Sequence, residues 1–169
     1  MRDFHSDDFE VLWRIDQQCF SPGVAYSRPE LAAYIRMAGA FTLLAETEPE
    51  GVEEPRSPLE FSQGEACRVV GFIVASLNAR RAGHIITIDV LPEGRRSGIG
   101  SALLHAAEQR LRSGGCGSVR LETAVNNTSA LVFYKRHQYS VSRTIPHYYP
   151  DGVDAFVMRK DLLSEPPDG

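Results

Sequence analysis

Three groups of residues in this chain have the types and spacing to do chemistry. The run Val90-Leu91-Pro92-Glu93-Gly94-Arg95-Arg96-Ser97-Gly98-Ile99-Gly100-Ser101 reads as a strand end, a Pro-Gly turn and a glycine-rich helix start. Such a junction presents unpaired backbone N–H groups at the positive end of a helix dipole, which suits a phosphate. Arg96, Ser97, Gly98, Ile99, Gly100 and Ser101 would supply N–H groups to a pyrophosphate, and Arg95 could add charge or stay solvated. The G-x-G-x-x-G spacing of a dinucleotide site is absent, because Gly100 is followed by Ser101-Ala102-Leu103. Glu122 stands inside a β-favouring segment, as a solvent-facing carboxylate or as a proton acceptor. Tyr134 follows twelve positions later on a helical pattern, where a Tyr commonly packs into the core. Asp89 interrupts the apolar strand Ile88-Asp89-Val90 and is awkward as a plain core residue, which favours a site-facing position.

The elements that must position these groups follow from periodicity. A helix is expected from Ser6-Asp7-Asp8 onward, with Phe9, Leu12, Trp13, Ile15 and Phe20 at helical spacing, broken by Ser21-Pro22-Gly23. A second helix is expected over 29–37, and strands over 41–45, 68–76 and 83–91. The glycine run starts a helix of roughly 15 residues with Ile99, Leu103, Ala106, Ala107 and Leu111 on its buried stripe, ended by Gly114-Gly115. A strand over 118–125 alternates Val119, Leu121 and Thr123, and Asn127 or Thr128 caps a short helix reaching His137. Strands over 139–145 and 153–160 close the chain. Residues 46–66 are rich in Glu and Pro and read as a mobile acidic connection, and 164–169 as a disordered tail. The order predicts one α/β domain over 1–163, a mixed sheet with helices on its faces.

Bulk properties narrow the function classes. The 169 residues carry a formal net charge of −4, which argues against non-specific nucleic-acid binding. Cys19, Cys67 and Cys116 are odd in number and far apart, with neither a disulfide framework nor zinc-ligand spacing, so a reducing, cytoplasmic compartment is expected. No stretch approaches a membrane span, and no secretory signal opens the chain. His84, His105 and His137 lack metal-ligand spacing and read as surface or packing residues.

Taken together, Arg95-Arg96-Ser97-Gly98-Ile99-Gly100, the block Leu121-Glu122-Thr123-Ala124-Val125-Asn126-Asn127 with Ala130 and Phe133-Tyr134, and the block from His147-Tyr148-Tyr149-Pro150 to Met158 resemble the GNAT superfamily of acetyl-CoA-dependent N-acyltransferases. Within it they look like the ribosomal-protein-alanine N-acetyltransferases and their N-terminal acetyltransferase relatives, over about residues 85–160. The resemblance implies a mostly antiparallel twisted sheet whose central strands splay at the acetyl-CoA site. It implies that the backbone at Ile88, Asp89 and Val90 pairs with pantetheine and that one N–H there polarises the thioester carbonyl. Glu122 then aligns with the general base and Tyr134 with the group that protonates the leaving thiolate. Asn127 would cap its helix, bond the cosubstrate, or both. Tyr148 and Tyr149 would form one wall of a peptide groove, and residues 20–28, with Tyr26, the opposite wall. No metal is implied. Family members carry Gly-Phe where this chain has Gln138-Tyr139, so Gln138 must turn left-handed or reshape that corner.

The expected reaction is therefore acetyl transfer to a primary amine, favouring a protein N-terminus, by direct attack in a ternary complex. Acetylation of a small amine or a lysine side chain is the nearest alternative, and a non-catalytic CoA-binding domain the third. Monomer and homodimer both stay open.

Overall fold

The computed structural model describes residues 1–47 and 67–163. Seven strands form one sheet in the order β1-β2-β3-β4-β5-β7-β6. They are β1 (Arg2–Asp3), β2 (Ala40–Thr47), β3 (Arg68–Leu77), β4 (Ala82–Val90), β5 (Ser118–Ala124), β6 (Ser140–Ile145) and β7 (Ala155–Asp161), with helices α1 (Phe9–Cys19), α2 (Arg28–Ile35), α3 (Ile99–Ser113) and α4 (Thr128–Arg136). All neighbours are antiparallel except β4 and β5, which the α3 crossover makes parallel.

Val69-Val70-Gly71-Phe72-Ile73-Val74 makes β3 a central strand, because a run apolar on both faces is stable only when both faces are covered. One face packs Leu43, Ile73, Ile85 and Leu121 against Leu103, Leu104 and Leu111 of α3. The other packs Leu44, Phe72 and Val74 against Leu12 and Ile15 of α1 and Leu31 of α2. Each fully buried Leu stabilises the fold by roughly 1.5–3 kcal/mol relative to exposure.

The feature that makes a site is the failure of β4 and β5 to stay together. They pair only at Ala82↔Ser118, Gly83↔Val119 and His84↔Arg120. Beyond His84, β4 follows β3 alone, with a bulge where the register shifts between Val74 and Ala75, so that Ile86 is the extra residue. β5 stays paired with β7 from Ser118↔Asp161 to Ala124↔Ala155. Each strand keeps its own neighbour, and the sheet opens between them.

Several boundaries differ from the sequence expectation. Arg2–Asp3 pairs with Leu44 and Leu43, a strand too short to show periodicity. The first helix begins as a 3-10 turn at Ser6–Asp8, where His5, not Ser6, is the cap and its N–H donates to Asp8 Oδ2 at 2.8 Å. The second helix starts at Arg28 because Ser27 and Glu30 form a capping box. Glu46 and Thr47, assigned to the acidic connection, extend β2 by pairing with Val69 and Arg68, and Glu46 Oε1 accepts from Arg2 Nε at 2.8 Å. The rest of that connection and the tail 164–169 lie outside the described residues.

Candidate active site

The glycine run does form a strand–turn–helix junction. Pro92–Gly94 is a 3-10 turn, Ser97 Oγ donates to the Gly94 carbonyl at 2.6 Å, and Arg96 and Gly98 adopt φ of 64° and 90°. The first bond into α3 runs from Ala102 N–H to Gly98 O at 2.9 Å. Ahead of it, the amides of residues 96–101 donate to no carbonyl among the described residues. A Cβ on Gly98 would meet nothing within 4 Å, so the turn faces open space. Free amides, alternating left-handed residues and a helix N-terminus together form an anion-binding concavity, and they fit a pyrophosphate. Arg95 is not simply solvated: its Nε donates to Val90 O at 3.0 Å, which also accepts the Cys19 thiol at 3.3 Å.

Along β4, Ile85 and residues 87–90 pair with β3 on one edge and lack β5 on the other, so Ile88, Asp89 and Val90 line the opening with their backbone. The Asp89 side chain, however, does not point into open space. It is fully buried on the α1 side, where Oδ1 accepts the Thr87 hydroxyl at 2.7 Å.

Glu122 stands on β5 just past the point of separation. Its Oε2 lies 2.5 Å from His84 Nε2 and its Oε1 pairs with Arg120. Burial would raise its pKa, but the hydrogen bond and charge of His84, with Arg120 and Arg143, hold the carboxyl below its ordinary value. His84 is thus no surface or packing residue. It was missed because its partner is 38 positions away, and only the parallel rung His84↔Arg120 sets the two on one face.

Tyr134 is buried, with its ring edge-on to Phe133 and Tyr139 at 5.2 and 5.6 Å. Its hydroxyl donates to no group among the described residues. Burial, then the charges of Asp89 and Tyr149, raise its pKa and keep it a neutral phenol. Gln138 takes the left-handed option, with φ 68°, so the Tyr134 turn closes without glycine. Asn127 is the α4 cap, its Oδ1 accepting from Ala130 N–H at 3.1 Å.

Two aromatic pairs flank the opening. Tyr26 of the α1–α2 connection and Tyr34 of α2 lie 5.0 Å apart, and Tyr148 and Tyr149 lie 5.1 Å apart on the β6–β7 connection. That connection is folded by the Pro150-Asp151-Gly152 turn, with Gly152 at φ 82° and its N–H donating to Tyr149 O at 2.9 Å. Burial and then Glu122 and Tyr34 raise the pKa of Tyr148, and burial, Tyr148 and Glu122 push Tyr149 up to about 12. Glu122 and Tyr34 thus lie close enough to this connection to influence its tyrosines.

Asp16 was also missed, although a signal existed: it sits four residues after Leu12, on the apolar face of α1. Among the described residues no group of three His, Cys, Asp or Glu is arranged to hold a metal, and no helix is long and apolar enough to cross a membrane.

Known proteins resemble this chain in sequence and in fold. An uncharacterized N-acetyltransferase of Methanocaldococcus jannaschii is 42% identical over 94 residues, covering 55% of this chain and 60% of that protein. An N-alpha-acetyltransferase of Sulfurisphaera tokodaii is 37% identical over 83 residues, covering 48% and 50%. The chain thus spans about half to three-fifths of the length of these relatives. The solved structure of Ard1 from Thermoplasma volcanium superposes with a TM-score of 0.76 at 28% identity, covering 96% of this chain and 97% of that one. The ribosomal-protein-S18-alanine N-acetyltransferase of Escherichia coli, at 19% identity, shares the fold with a TM-score of 0.73, covering 99% and 96%. The model of the acetyltransferase (GNAT) family matches residues 9–139, and this chain belongs to that family.

Proposed function

We propose that this chain transfers an acetyl group from acetyl-CoA to the N-terminal α-amine of a protein or peptide, by direct attack in a ternary complex. The observation that carries the reading is the opening between β4 and β5, with a phosphate-fitting turn at one end and a tyrosine-walled groove against Glu122 at the other. Acetyl-CoA supplies an acetyl group activated as a thioester.

The chain's residues do the rest. Amides 96–101 would hold the pyrophosphate. The free edge of β4 at Ile88–Val90 would align pantetheine and offer an N–H to the carbonyl oxygen as it gains charge. Tyr26, Tyr148 and Tyr149 would hold the first residues of the acceptor. A peptide α-amine has a pKa near 7.7–8.0 and is mostly protonated at neutral pH, so it must lose a proton before it attacks. Glu122 stays ionised and orients the ammonium. It takes that proton, directly or through water, while His84 Nε2 at 2.5 Å from Oε2 holds the carboxyl in place. Tyr134 keeps its proton until the C–S bond breaks and then gives it to the sulfur. Positioning the two reactants supplies much of the acceleration.

A thiol-release assay with acetyl-CoA and a panel of short peptides, beside polyamines and aminoglycosides, tests this. Release that depends on a free peptide N-terminus supports the proposal. Release with small amines alone overturns the acceptor, and no release with any amine, despite acetyl-CoA binding, favours a non-catalytic binder.

A further inference from the structure

Behind the Tyr26 wall two carboxyl groups are buried together. Asp16 of α1 and Asp89 of β4 are both 0% exposed. Asp16 Oδ2 accepts Tyr26 N–H at 2.8 Å and the Gln17 amide at 3.0 Å, and Asp89 Oδ1 accepts the Thr87 hydroxyl. Their remaining oxygens, Asp16 Oδ1 and Asp89 Oδ2, have no donor among the described residues. An unsatisfied buried polar atom costs roughly 1–3 kcal/mol, and more when charged. Two adjacent buried carboxylates also repel each other. The two side chains lie within hydrogen-bonding reach of one another. A single proton between them turns one orphan oxygen into a donor, the other into its acceptor, and removes one of the two charges.

The pair connects two parts of the site. Tyr26 is clamped at both ends of its peptide unit by one face of α1. Its N–H goes to Asp16, and its carbonyl accepts from Gln17 Nε2 at 2.8 Å and Trp13 Nε1 at 3.2 Å. Asp89 lies on the strand whose free edge would align the thioester.

We infer that Asp16 and Asp89 share one proton, and that this carboxyl pair is a positioning device fixing the acceptor wall at Tyr26 against strand β4. The role in acceptor binding rests on the proposed acetyl transfer, whereas the shared proton does not. The groups facing the pair are Cys19 of α1, Glu30 of α2, Tyr26, Tyr134 of α4 and Arg95, whose Nε is engaged by Val90 O. Burial is the largest influence on both carboxyls. It pushes Asp16 up to about 6 and Asp89 well above the usual carboxylate range, so one proton stays bound at neutral pH.

The sequence holds one tryptophan, Trp13, so its fluorescence reports on the clamp directly. The test compares wild type with Asp89→Asn, whose amide replaces the shared proton by a permanent donor, and with Asp16→Ala, which removes the acceptor. Infrared spectra at neutral pH are expected to show the carbonyl band of a protonated carboxylic acid in wild type and its loss in Asp89→Asn. Trp13 emission is expected to shift in Asp16→Ala and to stay in place in Asp89→Asn. In the transfer assay Asp16→Ala should raise the acceptor KM on the order of tenfold and leave the acetyl-CoA KM within about twofold. Absence of the band from wild type, or unchanged Trp13 emission in Asp16→Ala, overturns the inference. Both readouts are independent of turnover, so they stand even if no acceptor is found. Should Asp16→Ala fail to fold, the infrared comparison of wild type with Asp89→Asn decides.

Discussion

His84 Nε2 and Glu122 Oε2 meet at 2.5 Å across the place where β4 and β5 stop pairing. The contact joins the last of the three parallel rungs, His84↔Arg120, to the opening beyond it. It also helps, with Arg120 and Arg143, to hold the Glu122 carboxyl below its ordinary pKa against the opposing effect of burial.

Removing that carboxylate tests the proposed base. Glu122→Gln is expected to lower kcat by about 10²–10⁴, the range of general acid–base effects, with the acetyl-CoA Kd nearly unchanged. Parallel turnover and calorimetric titration check this, and wild-type turnover would remove Glu122 from the mechanism.

A pH profile separates His84 from Glu122. His84 helps to hold the Glu122 pKa below its ordinary value, so His84→Ala should let it rise. The group must be ionised to act, and activity is lost as pH falls through its pKa. The acidic limb of kcat/KM against pH is therefore expected to move to higher pH in His84→Ala. An unmoved limb would show that Glu122 does not set it.

Tyr134→Phe should slow turnover while leaving stability close to wild type. The hydroxyl makes no hydrogen bond among the described residues, and the ring contacts with Phe133 and Tyr139 survive the change. Wild-type kcat with an unchanged Tm would assign Tyr134 to packing alone.

Gly98→Ala tests the phosphate turn. At φ 90° a Cβ costs roughly 1–2 kcal/mol of backbone strain, although open space surrounds it. The expected result is a Tm lower by a few degrees and a clear loss of CoA affinity, since the added methyl enters the space a pyrophosphate would fill. Unchanged affinity for CoA would place the phosphates elsewhere.

A structural ion pair gives a contrast away from the site. Glu108, 1% exposed, accepts from Lys160 Nζ at 2.7 Å and the Tyr139 hydroxyl at 2.9 Å. Lys160→Met leaves that carboxylate with the Tyr139 hydroxyl and, as a cation, Arg112 at 3.8 Å, and a loss of about 3 kcal/mol is expected in denaturant unfolding. A change well below 1 kcal/mol would mean that Arg112 moves in to compensate.

The sequence by itself determined what is local. Apolar periodicity named α1, α3 and the central strands. The Pro-Gly turn with Gly98 specified a strand–turn–helix junction, and Asn127 specified the cap of α4. The resemblance to a known family singled out Glu122 and Tyr134 as candidates. The helices, strands and the cap are legible because they depend on neighbours within a few positions, where backbone sterics and hydrogen-bond geometry are short-ranged. Only the tertiary structure decided which distant groups meet. His84 joins Glu122 through a parallel rung made by the α3 crossover, and Arg95 turns back to Val90 O. Asp16 and Asp89 become one unit because α1 packs across β4. Pairings between residues far apart in the chain are set by strand order and packing, and so is burial, which raises the Asp16 and Asp89 carboxyls.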